Sequence, residues 1–106
     1  MKFDMNKMMQ EAQRMQAELA KAQEEAATEI VEATAGGGMV TVKANGAGEV
    51  VEITIDPRAI DPEDPELLAD LVLAAVNEAL RSARSLMESK MSGLMPGDLG
   101  GLLPGS

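Results

Sequence analysis

Residues 29–57, EIVEATAGGGMVTVKANGAGEVVEITIDP, constrain the fold more than any other stretch of the chain. Val40, Val42 and Ala44 alternate with Met39, Thr41 and Lys43. Val51, Ile53 and Ile55 alternate with Val50, Glu52 and Thr54. A period of two sends successive side chains to opposite faces, so each run can bury one face and wet the other. Gly36-Gly37-Gly38 separates a first β-rich run from the second, and Asn45-Gly46-Ala47-Gly48 separates the second from the third. Asn and Gly tolerate the positive φ that tight hairpins need. The spacing predicts a three-stranded antiparallel meander ending at Asp56-Pro57, where proline has no N–H for the ladder.

A glycine triplet also invites comparison with a phosphate-cradling loop. Such a loop needs glycines between a strand and a helix, closed by a lysine that reaches the phosphates. Here the triplet runs into Met39-Val40, a second strand, so a hairpin turn is the better reading.

The sheet is flanked by two amphipathic helices. Over 3–27, Met1, Met5, Met8, Ala12, Met15, Leu19, Ala22 and Ala26 keep the alternating four- and three-residue spacing of a heptad seam. Met packs adaptably, so the seam is a weak zipper rather than a metal site. Asp4, Glu11, Glu18 and Glu25 form an acidic stripe, with Lys7, Arg14 and Lys21 as a basic stripe beside it. Each base can pair with acids one turn away. A helix of this length spans roughly 37 Å, whereas a compact domain of this size has a radius of gyration of about 13 Å. One small sheet cannot cover it, so part of the helix projects or a second chain covers its seam.

PRAIDPEDPE at 57–66 is a proline-punctuated connector. Asp64, Pro65 and Glu66 suit N-cap, N1 and N2 of a helix over 65–91. Acids are expected at a helix start, so Asp61, Glu63, Asp64, Glu66 and Asp70 need no cation to explain them. Leu68, Leu71, Val72, Ala75, Val76, Ala79, Leu80, Ala83 and Leu86 make a broad apolar stripe, widened by Leu67, Ala74 and Met87. So wide a stripe faces both its own sheet and another chain. Between 81 and 92, Arg81, Arg84 and Lys90 meet only Glu88, a surplus of +2. Residues 92–106, SGLMPGDLGGLLPGS, have no period and form a flexible Gly/Pro/Leu tail beyond a single domain at 1–91.

Composition narrows the function. The chain has no His, Cys, Tyr or Trp. It therefore lacks the commonest general base, the best nucleophile and most metal ligands. No enzyme activity, cofactor, metal or small-molecule substrate is expected, and a hydrolase working through paired carboxylates ranks far behind the alternatives. No run of 18 apolar residues exists, so no membrane span is expected, and with no cysteine framework the cytoplasm is favoured. A net charge of −9 would, taken alone, favour a protein partner over nucleic acid.

The order of helix, three strands, connector, helix and glycine-rich tail, carried by ATAGGGMVTVKANGAGEVVEITIDP and DPEDPELLADLVLAAVNEAL with the Met- and Gln-rich MNKMMQEAQRMQAELAKAQEE, resembles the YbaB/EbfC family of bacterial nucleoid-associated proteins. The resemblance covers nearly the whole chain. It implies an α+β, α-β-β-β-α homodimer with helical arms projecting from a joined core. It implies low-specificity binding of double-stranded DNA in the cytoplasmic nucleoid, organising the nucleoid or modulating transcription. DNA contacts on the arms would fall on Arg81, Arg84 and Lys90 of the second helix and Lys7, Arg14 and Lys21 of the first. Local charge balance ranks the second-helix group first. An acidic dimeric adaptor that binds protein rather than DNA is the alternative.

Overall fold

The structure, a computed structural model, describes residues 4–94. The order is α1 (Met5–Thr28), β1 (Ile30–Ala35), β2 (Val40–Asn45), β3 (Val50–Ile55), a short 3-10 turn (Pro57–Ala59) and α2 (Pro65–Ser92). This is the expected α-β-β-β-α, α+β arrangement. Met1 of the seam and residues 95–106 of the tail lie outside the described residues.

Both helices begin on an aspartate. Asp4 Oδ1 accepts from the Lys7 backbone N–H at 3.2 Å. Asp64 Oδ1 accepts from the Leu67 N–H at 3.3 Å, with Pro65 opening the first turn. Each carboxylate satisfies an amide that the helix itself leaves without a partner and sits at the positive end of the dipole.

The strands form an antiparallel sheet in the order β1-β2-β3. Ala33, Val42 and Ile53 stand side by side, as do Ala35, Val40 and Ile55. These rows make the inner face. Thr34, Thr41 and Thr54, with Glu32, Lys43 and Glu52, make the outer one. The outer face is mainly polar, with Ile30 exposed at the start of β1, and Lys43 Nζ lies 3.3 Å from Glu52 Oε2. One detail departs from simple alternation. Lys43 faces Glu52 but Ala44 faces Val50, so β3 carries a bulge at Val51.

α2 crosses the inner face over β1 and β2 and barely reaches β3. Its buried residues are Ala75, Ala79 and Ala83, against Val40, Val42, Ala33 and Ala44 of the sheet. Alanine lets the helix lie close to the strands, so the core is thin. Its largest fully buried side chains are Val40 and Val42. Each such valine contributes about 1.5–2 kcal/mol, which is modest for a core. Meanwhile Val50, Val51, Ile53, Ile60, Leu67 and Leu73 remain exposed. The inner face of β3, expected to be buried, is therefore open at Val50 and Ile53 within the described chain, while Ile55 packs against the core.

The two turns work differently from each other. Gly36, Gly37, Gly38 and Gly48 take positive φ, whereas Asn45 does not. Asn45 instead uses its side chain: Oδ1 accepts from the Ala47 and Glu49 amides, both at 3.1 Å. Gly46 is needed for close approach. Its N–H donates to the Ala26 carbonyl at 3.1 Å, and a Cβ there would collide with that same oxygen. The β2–β3 turn is thus pressed onto the last turn of α1.

Only the C-terminal end of α1 is anchored. Ala22 and Ala26 are buried, while every residue from Asp4 to Glu18 is exposed. The molecule is accordingly elongated, 76 × 29 × 16 Å, with a radius of gyration of 20.3 Å.

Candidate nucleic-acid interface

The six cations singled out in the sequence all lie on the two helices, in three different environments. Lys7 and Arg14 sit on the free part of α1, where they line a shallow groove of about 260 Å³ with Gln10 and Glu11. Nothing else from the described chain covers that groove. Arg14 Nε is 3.9 Å from Glu18 Oε1, a loose contact between exposed side chains. Such a pair contributes little and releases its arginine readily to another anion. Lys21 continues the stripe one heptad further and is exposed.

Arg81 is held more firmly. Its Nη2 lies 2.6 Å and its Nε 3.1 Å from Glu78 Oε2. Lys90 belongs to a third setting. Its Nζ is 2.7 Å from Glu29 Oε1, across the junction of α1 and β1. This hydrogen bond, then the charge of Glu29 with a smaller contribution from Glu25, raises the lysine above its ordinary pKa. Among the described residues, Lys7, Lys21 and Arg84 form no ion pair.

The local charge balance of 81–92 therefore does not survive folding. Counting within that window misses Glu78, one turn before Arg81, and Glu29, distant in sequence but in contact with Lys90. A signal for Lys90 was present: it lies seven residues after the buried Ala83, hence on the same face of α2. Arg84 and the α1 stripe are left as the more available cations.

Two features escaped sequence reasoning. One is the Asp4 cap, which orders the tip of α1 beside Lys7. The other is Arg58, whose guanidinium pairs with Asp56 at 2.8 Å and holds that carboxylate down at about 2. Arg58 closes the end of β3 and its cation is engaged there. Among the described residues no group of His, Cys, Asp or Glu is arranged to hold a metal ion. No described helix is long and apolar enough to cross a membrane.

The chain belongs to the YbaB/EbfC DNA-binding family, which it matches over residues 1–99. It is 50% identical over 96 residues to a nucleoid-associated protein of Pelotomaculum thermopropionicum, covering 91% of this chain and 90% of that one. It is 52% identical over 95 residues to a nucleoid-associated protein of Chloroflexus aurantiacus, covering 90% of this chain and 95% of the relative. A crystal structure of an uncharacterized protein from Helicobacter pylori, HP0035, shares the fold. That match has a TM-score of 0.77 and 24% identity, over 90% of this chain and all of the other.

Proposed function

We propose that two copies of the chain associate through the open β3 and α2 surface and hold double-stranded DNA between their helical arms, with little sequence preference. In the nucleoid this would organise DNA or modulate transcription. The observation that carries the reading is the free stretch of α1, with the basic groove of Lys7 and Arg14 unobstructed by the rest of the described residues. Family membership supplies the ligand class.

The pattern of burial supports the dimer. β3, the turn after it and the outer leucines of α2 expose Val51, Ile53, Ile60, Leu67 and Leu73. Exposed apolar area around an uncovered sheet edge is stabilised by a partner surface. A second copy supplies the same surface by two-fold symmetry.

Lys7, Arg14, Lys21 and Arg84 are the leading phosphate contacts, Arg81 follows, and Lys90 contributes chiefly by fixing α2 against α1. Phosphate contacts position a protein without reading bases. The net charge of −9 works against the complex, so affinity should be about micromolar and fall steeply with salt. Phe3 is the only aromatic residue, so stacking on single strands should add little.

A mobility-shift titration at several salt concentrations tests this. Replacing Lys7, Arg14 and Lys21 together by Ala should weaken duplex binding about equally on unrelated sequences. The salt slope should flatten by about 0.9 for each phosphate that those side chains neutralise. Unchanged affinity in that variant and in Arg84→Ala would refute the reading. The acidic surface and exposed apolar residues favour a second reading, a dimeric adaptor for other proteins. Partners that remain bound after nuclease treatment would support it.

A further inference from the structure

The free stretch of α1 has a second face. Met5, Met8, Met9 and Ala12 line an open apolar hollow, and Met5, Met8, Met9 and Met15 are each more than half exposed. At 100° per residue the line Met5-Met8-Ala12-Met15-Leu19 lies about 140° around the helix from Lys7, Arg14 and Lys21. A duplex held by the basic stripe therefore leaves the methionine face uncovered.

The line does not end at the tip. It continues into Ala22 and Ala26, which are buried where α1 packs on α2. The C-terminal end of this stripe thus already serves as a helix–helix interface, and its N-terminal half has the same spacing but, among the described residues, no helix upon it. We propose that this half is filled by the same face of a second copy from another dimer, the two arms running antiparallel and joining dimers along or between duplexes. The inference rests on the projecting arms of the proposed dimer.

Direction follows from what surrounds the seam. α2 occupies the seam side of α1 at Ala22 and Ala26. A second arm lying parallel would carry its own residues 22–26 into that α2. An antiparallel arm instead points its tip at α2 and its body away. The antiparallel heptad register then sets Met5 against Met15 of the other copy and Met8 against Ala12. Met9 meets Met9 on one flank. On the other flank Glu11 meets Glu11 and Asp4 approaches Glu18. The methionine contacts favour pairing, and the acids oppose it at low salt. Pairing should strengthen as salt rises, opposite to duplex binding. High local concentration on DNA would promote it.

The chain has no cysteine, which makes the register directly testable. Single variants Met5→Cys, Met9→Cys and Met15→Cys are oxidised with diamide, alone and mixed. Met9→Cys should cross-link with itself, Met5→Cys should not, and Met5→Cys mixed with Met15→Cys should. Light scattering of the cross-linked species should show four or more chains. Met8→Gln with Met15→Gln should lower the assembly of dimers about tenfold while leaving the affinity of a single dimer for short duplex within about twofold. The proposal is overturned if Met5→Cys links to itself as readily as the mixture does, if no variant links, or if linked particles remain at two chains. Retained assembly in the double glutamine variant also overturns it. Cross-linking needs no DNA, so its result stands apart from any failure of duplex binding.

Discussion

Lys90 Nζ lies 2.7 Å from Glu29 Oε1, tying the last turns of α2 to the residue that links α1 to β1. The contact ties the end of α2 to the C-terminal end of α1, where Ala22 and Ala26 are already buried. Its lysine has a raised pKa, so the stabilisation is fully present below the ordinary value of 10.5 and is lost as pH rises through the raised one. Lys90→Met should melt below wild type near neutral pH, and the gap should close in strongly alkaline buffer. In a mobility shift the same variant should lose less duplex affinity than Arg84→Ala. The reverse order would make Lys90 a phosphate contact first.

Gly46→Ala should destabilise strongly. The new Cβ meets the Ala26 carbonyl oxygen, a backbone atom that no rotamer can move away. A cost of about 2 kcal/mol or more is expected in urea melts. Gly48→Ala meets no neighbour but takes φ +86, so its cost should be smaller, about 1 kcal/mol. Equal effects at the two positions would mean that the turn does not press on α1.

The contrast between these glycines shows where sequence reading stops. Strand existence, order and the buried parity of Val40, Val42 and Ala44 were legible because a period of two leaves no other face for them. The α2 cap was legible because Asp64-Pro65-Glu66 is local chemistry. Gly46 read only as a turn residue, since its neighbour Ala26 is on another element. The open part of β3 was equally hidden: Ile53 and Ile55 alternate as a buried strand would, and nothing local says that Ile55 packs on the core while Ile53 is left exposed. That six cations lie on the two helices was legible. Their availability was not, because Glu29 reaches Lys90 only after folding.

Ile53→Lys places a charge on the uncovered inner face of β3. It should leave the chain folded, since Ile53 is 44% exposed, yet shift light scattering from dimer toward monomer. Leu80→Glu is the harsher companion, because Leu80 packs against the core cluster as well. A dimer that tolerates both substitutions would locate the interface elsewhere.

Asp56 predicts behaviour in acid. Hydrogen bonds from Arg58 lower its pKa from 3.8 to about 2. A depressed carboxylate stabilises the fold above its ordinary value, and that contribution disappears as pH falls through about 2. Asp56→Asn should therefore melt earlier than wild type near neutral pH, with the two converging below about pH 2. A constant gap across the range would show that the carboxylate charge is irrelevant there.

Because every residue of the described chain from Asp4 to Glu18 is exposed, the length of that segment is uncoupled from the fold and acts as a ruler. Inserting seven residues would extend its reach by about 10 Å while nearly keeping the basic and methionine lines in phase. Inserting five would extend it almost as far and swing the outer line to the opposite side. Relatives with longer or shorter arms would thus be calibrated to different spans without any change in the sheet, and a series of such insertions would turn the arm into a molecular gauge of what it grips.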